Sequence, residues 1–130
     1  MAKELNDSAD IELLIRLFYK KILADDLLAP FFTQTDFEHH IPVMVNFWEN
    51  ALFYTGGYMG NPMESHKKMH ILFSFSNEHF DRWLTIFNSS VDELFKGVNA
   101  MMIKHKAFSI ATVMKLKLLE KKQESDQQES

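Results

Sequence analysis

The chain contains no cysteine, which excludes disulfides, thiolate metal ligands and thiol nucleophiles from its chemistry. Glycine and proline are scarce, four and three in 130 residues, so the breaks in regular structure are few and easily located. No run of about eighteen apolar residues occurs, and a membrane span is not expected. A basic excess is also missing. The formal net charge is −4, whereas nucleic-acid binding depends largely on neutralising phosphates, so no nucleic-acid partner is expected. The lysines between Lys104 and Lys122 read more simply as a solvated helix face. The segment Met1–Asp10 is polar and lacks the apolar core of a signal peptide, and a cytoplasmic protein is expected.

What is present is a globular composition, 46 % apolar, with twelve Phe, three Tyr and two Trp. Flat, bulky side chains in this number fill an ordinary core or line the faces of a planar cofactor. Composition alone does not separate these uses. A length of 130 residues suits one hydrophobic core, and a single domain over 1–122 is expected, with a polar, disordered tail over 123–130.

Helical periodicity dominates. Ile11, Leu14, Ile15, Phe18, Ile22 and Leu23 predict one apolar stripe, capped at its start by Asp7 or Ser8 and ended at Asp25-Asp26. A short helical turn interrupted by Pro30 is expected within Leu27 to Phe32. A second helix spans Phe37 to Phe53, with His40, Met44, Phe47, Trp48 and Ala51 on one side. Pro42 predicts irregular geometry or a first turn near His39 to Pro42. Three of the glycines fall between Thr55 and Gly60, a loop, and Asn61-Pro62-Met63-Glu64 then opens a short helix carrying His66 and His70. Ser76 or Asn77 caps a long helix that buries Phe80, Trp83, Leu84, Phe87, Val91 and Leu94 and ends at Gly97. A last helix, Asn99 to Leu119, buries Ile103, Ala107, Ile110, Ala111, Met114 and Leu118. The strand signals are too weak to build a sheet, so the fold class is all-α.

Six histidines carry most of the chemical content. His79 and His105 read as helix-surface residues. His40 shares the apolar side of its helix, where a histidine is more often a satisfied core residue than a ligand. His66 and His70 stand one turn apart and can chelate a metal together, yet no metalloprotease-type motif accompanies them. No histidine has Asp or Glu four residues on, and no Glu-x-x-His pair exists, which disfavours a di-iron carboxylate site. No serine sits on a strained glycine-flanked turn, and the adjacent Asp25-Asp26 pair reads as solvated. One arrangement fits better. A histidine on a short helix after a glycine loop can ligate haem iron from one side. Phe- and Trp-bearing helices supply apolar walls, and Tyr19, His40 and Trp83 lie on three different helices, on or beside their apolar faces.

The ordered set Phe18-Tyr19, His40-Ile41-Pro42-Val43-Met44-Val45-Asn46-Phe47-Trp48, Gly60-Asn61-Pro62-Met63, His66, His79-Phe80-Asp81-Arg82-Trp83-Leu84 and Val91-Asp92-Glu93-Leu94-Phe95 resembles the group III truncated haemoglobins across about Asp10 to Leu118. The resemblance implies a shortened globin fold, a two-on-two helical sandwich around haem. His66 matches the proximal iron ligand, chosen over His70 by its spacing from the Asn61-Pro62 start. Tyr19, His40 and Trp83 match the distal ligand-binding residues. Met44, Phe47 and Trp48 match the pocket wall, and Met63 and His66 are expected to contact the haem as well. The stretch between Pro30 and His40 is short beside some family members, and His70 is an additional histidine.

The implied function is reversible binding of O2, NO or CO at a five-coordinate iron of haem b, non-covalently held because no Cys-x-x-Cys-His motif is present. Tyr and Trp donors in a dry pocket slow release of a bound ligand. That suits nitric oxide oxidation or peroxide chemistry, with electrons from a separate reductase, since no flavin or nicotinamide domain is present. Two other readings stay open: a bis-histidyl haem protein in electron transfer or sensing, and a cofactor-free helical interaction module. The proximal assignment has a direct test. His66→Gly should leave a weakly held haem whose ferrous spectrum imidazole rescues, while the His70→Gly protein should stay largely intact. The opposite pattern would reverse the assignment.

Overall fold

A computed structural model of the chain describes residues 2–53 and 76–129, with side chains to residue 117. Four substantial helices order the described residues: α1 (Ser8–Leu23), α2 (Phe37–Phe53), α3 (Asn77–Leu94) and α4 (Val98–Glu129). Helix α1 packs on α2 and α3, and α4 closes the arrangement against α3 and α2. The result is two helices laid on two, the all-α architecture expected. The short helix at Asn61 to His70 lies outside the described residues.

Each helix begins where its local chemistry favours a start. The Asp7 carboxylate caps α1 by accepting the Asp10 N–H at 3.0 Å. Lys20 and Lys21 sit in the last turn, where cations suit the helix dipole. The buried stripe comprises Ile11, Leu14, Ile15, Phe18, Tyr19 and Ile22. Leu23, expected within it, is exposed, because one further residue turns it about 100° away from Ile22. Asp25 also departs from expectation. It accepts the Leu28 N–H at 3.1 Å and pairs with Arg82 at 3.3 Å, so it fastens the end of α1 to α3. Pro30 lies in the first turn of a 3-10 helix, Ala29–Phe32, a position compatible with its missing N–H.

Helix α2 has the expected span and begins at Phe37, two residues before the first turn expected from His39 to Pro42. Both His39 and His40 N–H groups bond the Asp36 carbonyl, and Pro42 lies inside the helix. Its ring is on the exposed face, where water can serve the carbonyl it leaves without an N–H partner. In α3 the buried side includes Ile86 and Ser90 beside Phe80, Phe87 and Val91. Ser90 is tolerated because its hydroxyl donates to the Ile86 carbonyl at 2.8 Å. His79 is more than a surface residue. Its Nδ1 accepts the Ser76 N–H at 2.8 Å, closing a cap on α3, and its ring meets Phe31 edge-on at 5.0 Å.

The expectation that Gly97 ends the long helix is corrected by a small parallel pairing. Helix α3 stops at Leu94, and Phe95–Lys96 (β2) pairs with Lys3–Glu4 (β1), Lys3 opposite Phe95. Gly97, at φ +95°, then turns the chain into α4, a left-handed conformation that costs glycine little. The clasp is reinforced by Leu5, fully buried, and by Asn99 Nδ2 donating to the Leu5 carbonyl at 2.8 Å. Helix α4 buries Ala100, Ile103, Ala107, Ala111 and Met114, and Ile110 is partly buried. Its backbone remains helical to Glu129, so the polar segment from Gln123 begins inside it. No helix among the described residues is long and apolar enough to cross a membrane.

Asp10 ties the N-terminal clasp to α1. Its buried carboxylate accepts the Asn6 N–H at 2.9 Å and pairs with Lys3 at 2.8 Å. Burial pushes its pKa up, but the Lys3 ammonium and the backbone N–H bonds outweigh that and hold it below the ordinary 3.8. A depressed carboxylate contributes stability above its unfolded-state value and loses it as pH falls through the lower folded-state value. Asp10→Asn should therefore cost about 1 kcal/mol at neutral pH and flatten the loss of stability below pH 3.8. Urea melts at pH 7 and pH 3 test this; parallel losses in both proteins would contradict it.

Candidate ligand pocket

Three helices meet at an aromatic corner. Tyr19 faces inward from the fifth-to-last position of α1 and is 5 % exposed. A buried phenol needs a partner for its hydroxyl, and its oxygen lies 2.7 Å from Nε2 of His40 on α2. The two rings meet edge-on at 5.2 Å. Phe37 at 5.2 Å and Phe32 at 5.9 Å complete a collar around the Tyr19 ring. This apolar surround pushes the Tyr19 pKa up through desolvation, so the phenol keeps its proton and remains a donor.

The proton arrangement gives the pair two settings. With the His40 proton on Nδ1, Tyr19 donates its O–H to Nε2. With the proton on Nε2, His40 donates to the phenol oxygen, and the Tyr19 O–H is released to serve a third group. In the second setting the corner presents a donor held in place from behind.

Trp83 approaches from α3 and is half-buried. Its ring meets Phe18 edge-on at 5.5 Å and stacks on Phe87 at 5.6 Å with 10° between planes. Phe87 stacks in turn on Trp48 of α2 at 4.8 Å. Among the described residues the Trp83 indole N–H makes no hydrogen bond, so a second donor stands available beside an apolar wall. Met44 and Trp48 are buried on α2, and Phe47 is partly buried there. The structure thus joins Tyr19 to His40 directly and reaches Trp83 through Phe18. Met63, His66 and His70 lie outside the described residues.

The donor set fits one face of a planar apolar cofactor with a small acceptor ligand: flat aromatic walls, a phenol backed by an imidazole, and an indole N–H. No group of three or more potential metal ligands occurs among the described residues, so nothing there competes as a metal centre. The aromatic collar of Phe32 and Phe37 was not singled out by periodicity, because both flank the irregular stretch between α1 and α2. A second feature without a sequence signal is Asn88, whose Oδ1 is buried with no partner among the described residues.

The chain resembles known proteins over nearly its whole length. The bacterial-like globin family model matches residues 4–119. A group 3 truncated hemoglobin from Campylobacter jejuni is 27 % identical, covering 86 % of this chain and 91 % of its own. A group 1 truncated hemoglobin from Tetrahymena thermophila is 32 % identical, covering 78 % and 79 %. The crystal structure of the group III truncated hemoglobin from Campylobacter jejuni superposes with a TM-score of 0.77, at 27 % identity, over 91 % of this chain and 95 % of that one. A truncated hemoglobin from Tetrahymena pyriformis gives 0.66 at 30 % identity, over 82 % and 87 %. The sequence match is slightly higher to the Tetrahymena proteins, whereas the Campylobacter structure agrees over more of the fold. With a family match over most of its length and the two-on-two helices to go with it, this chain belongs to the bacterial-like globins, among the truncated haemoglobins.

Proposed function

We propose that the chain binds haem b non-covalently, with His66 as proximal ligand, and retains a diatomic gas through Tyr19, His40 and Trp83. The observation that carries this reading is the 2.7 Å contact between the Tyr19 hydroxyl and His40 Nε2 at a buried corner, linked through the Phe18 ring to an indole donor with no partner among the described residues. When bound, haem supplies a ferrous iron that attracts O2, NO or CO and shifts electron density onto O2 in particular. The residues of this chain then act as donors. Tyr19, kept protonated by burial, offers its O–H while His40 fixes its orientation, and Trp83 offers its N–H from the opposite helix. Met44, Phe47, Trp48 and Met63 would line the cofactor and exclude water, strengthening both bonds.

Two donors on one small acceptor favour slow release. Retention of this kind suits chemistry on the oxygen, such as oxidation of nitric oxide or reaction with peroxide, with a separate reductase returning electrons. The bis-histidyl alternative requires a His40 nitrogen turned to the metal, and engagement of Nε2 by Tyr19 weighs against it. His40 on this reading controls access to the pocket and orients the phenol rather than holding the cofactor.

A hydrogen bond to a partially charged acceptor contributes about 1.5–3 kcal/mol, which converts to roughly ten- to a hundredfold in rate. Tyr19→Phe and Trp83→Phe should each speed oxygen release by about that factor, with carbon monoxide, a poorer acceptor, affected less. Their double variant should depart from additivity, because both donors serve one ligand. His40→Leu should also accelerate carbon monoxide association. Stopped-flow kinetics on the haem-loaded proteins tests all of these. Oxygen release within twofold of the parent in the three Tyr19 and Trp83 variants would overturn the pair.

A further inference from the structure

We propose that Phe87 is a positioning residue for the ligand pocket: it fixes the plane of the Trp83 indole and so sets how strongly O2 is retained relative to CO. The role presupposes Trp83 as a donor to the bound gas. An indole N–H lies in the plane of its ring, and a hydrogen bond weakens steeply once donor and acceptor leave alignment. An unsupported indole would tip its N–H away from the ligand without leaving the pocket. A donor with no protein partner among the described residues therefore needs something else to hold it still.

Phe87 supplies that hold. It stands one turn after Trp83 on α3, where side chains four residues apart lie over each other. The two rings are nearly parallel, with 10° between planes and centroids 5.6 Å apart. Phe87 itself has little room to yield. It is fully buried, and Trp48 of α2 stacks on it at 4.8 Å and 28°. Phe18 meets both rings at a steep angle, 5.4 Å from Phe87 at 74° and 5.5 Å from Trp83 at 81°, which opposes sliding of one over the other. The stack thus ties the Trp83 donor to α2, the helix that carries His40.

Phe18 and Phe87 are the described residues whose rings contact Trp83, and they are not equivalent. Phe18 also meets Tyr19 at 5.0 Å, so a change there disturbs both donors. Phe87 makes no ring contact with Tyr19 or His40 among the described residues, so its influence on the ligand passes through Trp83. A flat face is the property that matters at this position. An aliphatic or thioether side chain of similar volume would keep the core filled and leave the indole free to tilt.

Phe87→Met, which keeps the site filled with a flexible side chain, tests this in the haem-loaded protein. Loss of the aromatic pair geometry should speed oxygen release about two- to tenfold, with carbon monoxide release affected less. In the Trp83→Phe protein, where the donor is already gone, adding Phe87→Met should leave oxygen release unchanged. In the carbon monoxide form, the Trp83 indole N–H resonance, one of two in the chain, should broaden or split as the ring samples several orientations. Phe87→Leu should repeat these effects if Phe87→Met disturbs folding. Oxygen release at the parent rate in a folded Phe87 variant, while Trp83→Phe accelerates it, overturns the positioning role alone. Equal acceleration by Phe87→Met with and without Trp83 also overturns it, because Phe87 would then act on the pocket by another route. If Trp83→Phe itself leaves release unchanged, the donor role of Trp83 fails and the positioning role falls with it.

Discussion

A phenol withdrawn from water has to place its hydroxyl, and leaving it unpaired would cost about 1–3 kcal/mol. At Tyr19 that requirement is met across a helix boundary, by His40 Nε2 at 2.7 Å. The bond links the last turns of α1 to the first turn of α2. Phe37 and Phe32 then close around the same ring from the connecting stretch, so the corner is dry as well as paired. A dry donor is a strong donor. On the proposed function, the interaction that satisfies the fold at this point would also hold the ligand's donor in place.

The remainder of the core transmits this arrangement to α3. Phe18, next to Tyr19, contacts both Trp83 and Phe87, and Phe87 lies between the two tryptophans. Edge-on and stacked aromatic contacts of this kind have defined geometry beyond their burial. A change of side chain at Phe18 or Phe87 would therefore shift the Trp83 indole as well as weaken the core. At the far end of α3 the β1–β2 clasp, Gly97 and Asp10 set where α4 departs. The pocket corner and the clasp lie at opposite ends of α3 and are held by different forces, aromatic packing in one case and backbone and ionic bonds in the other.

Much of this was legible in the sequence, and the reasons for the rest are specific. The stripes of α1 and α3 follow largely from spacing, since Ile11, Leu14, Phe18 and Ile22, or Phe80, Phe87 and Val91, repeat at helical intervals and are buried as that repeat requires, whereas α2 buries Ile41, Val45 and Leu52 with the expected Met44 and Trp48 and leaves Phe47 and Ala51 only partly buried. The contact between Tyr19 and His40 does not follow from spacing. They stand 21 residues apart, and only the resemblance to truncated haemoglobins assigned them to one site before the fold showed them in contact. The clasp was illegible because a two-residue strand carries no periodicity, and Gly97 then looks like an ordinary helix end. Pro42 points the other way, since the helix starts at Phe37 and runs through the proline, whose ring lies on its exposed side.

The central claim is that these helices enclose a haem whose ligand meets Tyr19, His40 and Trp83. Anaerobic titration of the purified chain with haem, followed in the Soret region and then exposed to carbon monoxide, tests it most directly. Saturation at one haem per chain and a sharp ferrous carbon monoxide band characteristic of a histidine-ligated haem are the expected results. A titration without saturation, or a spectrum that carbon monoxide leaves unchanged, would contradict it.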